Sequence, residues 1–225
     1  MIGALVRAVN NLTPSIIILD MCNDMIYLAS QSPRRKLLLE QIKVLFKKLP
    51  SEIDEIPFNK ELPKDYVLRM AIEKAKSGWA KVEKENLPVY PVLAADTSVV
   101  ANNEILGKPA DRDHAFDMLT KLRGRSHQVM TAVALTNGKK YETSLSITFV
   151  KMAQVSDEKI KSYIATGESM DKAGGYAIQG MGAILIERIE GSYSGAVGLP
   201  LYSTAKLLEE FGISVWQRNS SELIQ

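Results

Sequence analysis

The pattern of apolar and polar positions divides the chain into helices and strands. Between about residues 64 and 84, apolar positions recur on one arc of a 3.6-residue wheel, which predicts a long amphipathic helix. Runs rich in β-branched residues predict strands instead, and starts such as Ser32-Pro33 predict further helices. The predicted strands cover 25–30, 44–50, 89–100, 127–135, 141–152 and 183–190, and the other predicted helices cover 33–42, 111–122, 156–167 and 199–210.

The order of these elements predicts the fold class. Strands and helices alternate in the first half, whereas the two long central strands follow each other through Asn137-Gly138, a strong hairpin signal. A parallel part and an antiparallel pair together predict an α/β fold around one mixed sheet. No repeat or Pro/Ser-rich linker divides the chain, so two lobes would have to share that sheet.

Composition excludes several classes of protein. The 225 residues have a net charge of +2, which argues against a protein that coats nucleic acid or a membrane surface. No apolar run approaches the roughly 18 residues of a membrane helix. A single cysteine, Cys22, excludes an internal disulfide and fits a reducing cytosol. With only His114 and His127 besides, no zinc site can be assembled from Cys and His.

The two ends of the chain are interpreted separately from the folded unit. Asp20 and Asp24 close the apolar stretch at the start, and Met25 directly precedes the first strand. Residues 1–24 are therefore interpreted as an extension that the fold does not need, with an extra helix packed on the domain as the alternative. The domain is expected to cover 25–218, with a tail at 219–225.

The helix that begins at Pro33 opens with two arginines. Cations in a first helical turn face the positive end of the helix dipole, which disfavours them by a few tenths of a kcal/mol each. Free N–H groups at the helix start, Arg34, Arg35 and the hydroxyls of Ser30 and Ser32 together suit a phosphate chain. The alternative is a pair of exposed surface arginines.

Asp96 is the carboxylate that stands out. It follows an apolar run at the predicted end of a buried strand, where an isolated charge is costly unless it is paired or holds a cation. A catalytic or metal-binding role and a structural ion pair are both open. Lys74 lies ~20° beyond the apolar arc of its helix, so its ammonium points either to solvent or into a cleft. Lys108 and Lys172 are further loop cations that, taken singly, suit the surface.

An acidic loop follows the second predicted strand. Alternation would place Glu52 and Asp54 on one side, where they could help Asp96 hold a hard divalent cation, although such clusters also face solvent. No Ser–His or Cys–His pair suggests a covalent nucleophile, so water is the expected attacker. Cations, carboxylates and Mg²⁺ are the parts needed to bind and cut a polyphosphate.

Six motifs, in order and spacing, resemble one family. They are "LASQSPRR", "AADT", "ILGKPAD", "YIATGESMDKAGGYAIQG", "IERIEGSY" and "VGLPL". They resemble the Maf branch of the Maf/HAM1-like nucleoside triphosphate pyrophosphatases over about residues 25–215. The resemblance implies a cytoplasmic enzyme that hydrolyses a nucleoside triphosphate to the monophosphate and pyrophosphate with a divalent metal, Mg²⁺ or Mn²⁺. It also implies two lobes around an elongated mixed sheet with a central cleft, and a homodimer.

The resemblance also implies roles for individual residues. Asp96 would accept the proton of the attacking water and lie close to the metal, with Asp54 as a nearby acidic residue. Residues matched to phosphate and base contacts or to the lysines of the cleft are Ser30, Arg34, Arg35, Lys74, Lys108 and Lys172. Those matched to positions associated with substrate choice are Arg35, Thr97 and Gln179.

The substrate is expected to be a pyrimidine nucleotide. "DKAGGYAIQG" and "SHQVMTAVAL" resemble the family branch that acts on dTTP, UTP and modified uridine triphosphates. The Gln179 amide can both donate to and accept from a pyrimidine edge. A 7-methyl-GTP pyrophosphatase is the alternative within the class, and a nucleotide-sensing regulator of cell division is the alternative outside it.

Overall fold

The computed structural model describes residues 24–216. Most of the predicted extension and all of the predicted tail lie outside this range. Its strands are β1 (Met25–Leu28), β2 (Leu45–Lys48), β3 (Val92–Ala101), β4 (Glu104–Leu106), β5 (Ser126–Thr136), β6 (Tyr141–Met152) and β7 (Ile186–Glu190). Its helices are α1 (Pro33–Gln41), α2 (Pro63–Lys84), α3 (Arg112–Leu122), α4 (Asp157–Ala165), α5 (Tyr193–Val197) and α6 (Leu201–Glu210), with 3₁₀ turns at Glu168–Asp171, Ala173–Gly175 and Met181–Leu185.

The strands form one mixed sheet in the order β2-β1-β3-β5-β6-β7, with β4 paired to β3 off this path. β1 lies parallel to both β2 and β3, whereas β3, β5, β6 and β7 pair antiparallel in succession. The α/β fold around a single mixed sheet is therefore confirmed. No helix in the range 24–216 is long and apolar enough to cross a membrane.

The central strand β3 has a gap along one edge. β5 pairs with β3 continuously from Val92 to Val100. The opposite edge is shared between β1, which pairs only with the start of β3 through Leu93, and β4, which pairs only from Val99 onward. No described strand covers residues 94–98 on this edge, so the sheet is open there.

Helices cover both faces of the sheet. α2 packs on one face through Val67, Ala71 and Ala75, which confirms the apolar arc predicted for it. On the other face, α1 and α6 enclose a cluster around Leu39 and Leu208. A third cluster, between α3, α4 and the far end of the sheet, includes Leu119, Val150, Ile160, Tyr163 and Leu185.

One short strand and one short α-helix were not predicted. β4 lies in a segment predicted as loop, and the turn before it is made by Asn102 and Asn103, both at positive φ. Two consecutive left-handed residues are what a tight hairpin turn requires, and asparagine tolerates this conformation well. The five-residue helix α5 was also missed; its start is capped by Ser192, whose hydroxyl accepts the Gly195 N–H.

Candidate functional site

A cavity of about 640 Å³ opens beside the gap in β3. It is bounded by the loop between β1 and α1, by the acidic loop before α2, and by the glycine-rich segment before β7. All ten residues predicted to be catalytic or substrate-binding line it: Ser30, Ser32, Arg34, Arg35, Lys74, Asp96, Thr97, Lys108, Lys172 and Gln179. The structure therefore brings residues from six separate stretches of the sequence to one cleft.

Asp96 lies in the middle of β3, so its predicted position at the end of a strand is wrong. The strand continues to Ala101 because β4 and β5 still pair with it there. Access to the cleft comes instead from β1, which stops at Leu28 and uncovers the β3 edge. The Asp96 side chain faces α2 and is almost fully buried, at 7% exposure.

Lys74 is the partner of this buried carboxylate. Its Nζ lies 2.7 Å from Asp96 Oδ1 and also 2.7 Å from Glu55 Oε1. The lysine side chain is largely buried, so its ammonium points into the cleft and the solvent-facing alternative is wrong. A buried carboxylate is costly when unpaired, and the ammonium offsets that cost while joining two acidic groups.

Glu55 occupies the position that alternation had assigned to Asp54. Asp54 is exposed and does not line the cleft; its Oδ1 accepts the Ile56 N–H instead. The loop from residue 49 to 62 forms no strand, so the two-residue period used for the prediction does not apply. The acidic residues that line the cleft from this loop are Glu52 and Glu55.

Arg35 is fixed by three hydrogen bonds. Its guanidinium donates from Nε to the Gly198 carbonyl at 2.9 Å, and from Nη1 and Nη2 to the hydroxyls of Ser30 and Thr97, both at 3.2 Å. Thr97 in turn contacts the Thr131 hydroxyl at 2.9 Å. Burial lowers the pKa of the Arg35 guanidinium from its ordinary value. Arg35 is thus built into the wall of the cleft.

Two other cations of the cleft have no partner among the described residues. Among residues 24–216, neither Arg34 nor Lys108 has a hydrogen bond or ion pair, although both line the cavity. Lys172 pairs with the neighbouring Asp171, and this ammonium lowers the pKa of that carboxyl. A cleft with unpaired guanidinium and ammonium groups attracts anions, and forked guanidinium donors suit phosphate.

The start of α1 differs in detail from the prediction. Pro33 occupies the first helical position, as expected, and Ser32 precedes it at the cap position. The Ser32 side chain makes no capping hydrogen bond; the Ser32 N–H instead donates to the Ser30 hydroxyl at 3.1 Å. Ser30 therefore organises this turn, and its hydroxyl also accepts from Arg35.

The glycine-rich segment forms one wall of the cleft. The Gly174 N–H donates to the Gly107 carbonyl at 2.9 Å, which ties this wall to the loop that carries Lys108. The Tyr176 hydroxyl lies 2.6 Å from His127 Nε2 inside the protein. Gln179 is exposed at the rim of the cavity.

The donor set suits a hard divalent cation. No group of three or more His, Cys, Asp or Glu side chains is gathered within residues 24–216. Mg²⁺, however, is commonly held by one or two carboxylates together with substrate phosphates and waters. Asp96 and Glu55 provide carboxylate oxygens next to each other across Lys74, and they fit such an ion.

The fold and the site together define an α/β protein with a cleft for a polyanion, in which cations surround a buried carboxylate. The sequence also matches the family described as "Maf-like protein" over residues 25–211. The chain belongs to this family.

Several relatives are similar over nearly their whole length. The dTTP/UTP pyrophosphatase of Nitrosomonas europaea is 50% identical over 199 residues, covering 85% of this chain and 96% of that protein. The dTTP/UTP pyrophosphatase of Methylobacillus flagellatus is 53% identical over 190 residues, covering 84% and 94%. That of Escherichia coli O157:H7 is 47% identical over 186 residues, covering 83% and 92%.

Proposed function

We propose that this chain hydrolyses dTTP, UTP and modified uridine triphosphates to the monophosphate and pyrophosphate. The observation that carries the proposal is the Asp96–Lys74–Glu55 bridge, which lies in the same cleft as the unpaired cations Arg34 and Lys108. The names of relatives that are about half identical to this chain support the substrate class.

In the proposed reaction, Asp96 is the general base. It takes one proton from a water whose oxygen forms a bond to the α-phosphorus, and the bond from that phosphorus to the bridging oxygen of the β-phosphate breaks. Lys74 holds one oxygen of Asp96 and leaves the other free to accept the proton. Arg34, Lys108 and Lys172 would neutralise the triphosphate, since cations placed where charge develops are a large source of catalysis.

A divalent metal, Mg²⁺ or Mn²⁺, forms part of the proposal. Asp96 and Glu55 are the residues that would hold it. When bound, such an ion supplies charge neutralisation to the phosphates. The loop pattern also predicts Asp54 as a ligand, but the Asp54 carboxylate accepts a hydrogen bond from the Ile56 N–H of its own loop.

Base recognition is assigned to the rim of the cleft. The exposed Gln179 amide can donate to a pyrimidine carbonyl and accept from the adjacent N3–H. Arg35 and Thr97 would act indirectly, because their hydrogen bonds fix the neighbouring wall at Gly198. The cytoplasmic location and the homodimer implied by the family are part of this proposal; light scattering tests the dimer.

A substrate panel tests the proposal. Pyrophosphate release is measured with dTTP, UTP, pseudo-UTP, 7-methyl-GTP and ITP, each with Mg²⁺ or Mn²⁺ and with EDTA as a control. We expect the highest kcat/KM for the uridine and thymidine nucleotides and no turnover in EDTA. Preference for 7-methyl-GTP would contradict the proposed substrate class, and the absence of pyrophosphate release from every nucleotide would contradict the activity.

A further inference from the structure

The loop that delivers Glu55 to the cleft has no regular structure of its own. Between the end of β2 at Lys48 and the start of α2 at Pro63, the chain forms neither helix nor strand. Backbone hydrogen bonds of a helix or sheet therefore do not hold it. Yet the Glu55 carboxylate lies 2.7 Å from Lys74 Nζ, so other contacts must fix this segment.

Arg69, on α2, supplies most of these contacts. Its Nε and Nη2 donate to the two carboxylate oxygens of Glu61, both at 2.6 Å, in a forked pair. Nη2 also donates to the Ile56 carbonyl at 3.2 Å. The guanidinium lies 3.8 Å from the centroid of the Phe58 ring. The Arg69 side chain thus contacts three loop residues that follow Glu55 in the sequence.

Two further hydrogen bonds close the loop around this centre. The Phe58 N–H donates to Glu61 Oε2 at 2.9 Å, so the carboxylate that Arg69 binds also fixes the loop backbone. The Tyr66 hydroxyl donates to the carbonyl of Glu55 itself at 2.8 Å. The loop backbone is therefore fixed at Glu55, the loop residue that contacts Lys74 in the cleft.

The residues that hold the loop and the lysine that Glu55 contacts lie on the same helix. Tyr66, Arg69 and Lys74 all belong to α2, within nine residues of one another. The helix contacts the loop through Arg69 and Tyr66, and it receives the Glu55 carboxylate on Lys74. The position of Glu55 relative to Lys74 and Asp96 thus depends on how the loop is attached to the helix.

We propose that Arg69 is a positioning residue, which holds the acidic loop on α2 so that the Glu55 carboxylate meets Lys74 beside Asp96. This inference rests on the proposed function. An arginine suits the task because its planar fork binds both oxygens of Glu61 while its remaining N–H groups reach the Ile56 carbonyl and Glu73. A lysine keeps the charge but cannot make this set of contacts.

The opposing interpretation is that the Arg69 cluster only stabilises the fold. The two interpretations differ in what a variant changes. If Arg69 acts through Glu55, its removal lowers kcat and leaves nucleotide binding by the cations of the cleft in place. The effect of removing Arg69 on kcat then disappears once Glu55 is already neutralised, since effects of residues that act as one unit do not add.

The test is a double-mutant cycle on pyrophosphate release. We expect Arg69→Gln to lower kcat about 10- to 100-fold while KM changes less than about threefold, as for residues that orient a site from behind. Arg69→Lys should restore little of this loss. In the Glu55→Gln background, Arg69→Gln should lower kcat by less than about twofold further. Lys81→Ala, which removes an exposed ion pair with Glu85 on the same helix, is the matched control and should match wild type.

Three results would overturn the inference. They are unchanged kcat in Arg69→Gln, an equal fold-loss in the wild-type and Glu55→Gln backgrounds, and a loss confined to KM. Glu61→Gln provides a second variant that weakens the same contact with a nearly identical shape, so a poorly folded Arg69→Gln does not end the test. Wild-type enzyme without pyrophosphate release would instead refute the proposed function, which separates the two failures.

Discussion

The guanidinium of Arg35 donates to the hydroxyl of Thr97 across 3.2 Å and so joins the first helix to the central strand. Its sequence neighbour Arg34 makes no such bond within residues 24–216, although both arginines line the same cleft. Two adjacent residues of the same type therefore have different roles. One is part of the wall, and the other is available to a ligand.

This difference predicts opposite consequences for two alanine variants. Arg35→Ala removes three hydrogen bonds from a charged donor and should lower the free energy of unfolding by about 3 kcal/mol. Arg34→Ala should change it by less than about 0.5 kcal/mol, because Arg34 makes no hydrogen bond or ion pair with residues 24–216, while raising KM about tenfold or more. Urea unfolding and steady-state kinetics measure the two effects. Equal stability loss in both variants would contradict the assignment of roles.

Replacement of Asp96 by asparagine should abolish turnover. Asparagine has almost the same shape but cannot accept the proton of a water, so we expect kcat to fall at least about a thousandfold. The protein should remain folded, because the amide oxygen can still accept from Lys74. Pyrophosphate release and circular dichroism are measured on the same sample. Turnover close to wild type would refute the role of Asp96 as general base.

His127 predicts how stability depends on pH. Burial lowers the pKa of His127 from 6.5 to about 4. The unfolded chain therefore binds a proton that the folded protein rejects between these values, so stability is complete above pH 6.5 and is lost as the pH falls toward 4. Protonation of His127 alone should lower the free energy of unfolding by about 3 kcal/mol below pH 4. Urea unfolding between pH 7 and pH 4 measures it.

A variant without the buried imidazole tests this assignment. His127→Gln should remove most of the contribution assigned to His127, at the cost of lower stability at neutral pH. An unchanged pH profile in His127→Gln would show that other groups cause it.

Two glycines at positive φ separate backbone strain from lack of space. A Cβ at Gly174 would lie 2.9 Å from Val99 Cγ1, whereas a Cβ at Gly167 would meet nothing within 4 Å. Both have φ near +70 to +80°. Gly167→Ala should cost about 1 kcal/mol from backbone strain, and Gly174→Ala about 2–3 kcal/mol because the clash adds to it. Thermal unfolding compares them, and equal losses would mean that the wall moves to accommodate the methyl group.

Local patterns were sufficient for most of the fold. The apolar arc of α2 and the Asn137-Gly138 hairpin depend on residues close in sequence, and both were predicted. β4 was missed because three residues are too few to establish a period, even though Asn102-Asn103 is a turn signal that could have indicated it. The place of Asp96 within its strand was less predictable, because the strands that pair with β3 beyond Asp96 are distant in sequence.

The sequence predicts which residues line the candidate site, but not which of their side chains contact each other. Unusual charges in apolar or helix-start positions pointed to Asp96, Arg34 and Lys74, and these line one cleft. Neither the Lys74–Glu55 contact nor the Arg69 cluster has a local signature, because each depends on how an irregular loop folds back on a helix. For the same reason the alternation of the sequence predicts Asp54, and not Glu55, as the loop residue that reaches the cleft.

The alternation of strand β3 has a consequence for how this protein can vary. Asp96 and Thr97 are adjacent and therefore point to opposite faces of the sheet, one toward Lys74 and the other toward Arg35. A substitution at one of the two positions therefore removes a contact on one face and leaves the contact on the other face in place. Insertion or deletion of a single residue just before this pair would exchange the faces, bringing threonine to the lysine and aspartate to the arginine. We expect the length of β3 to tolerate far less change than its composition.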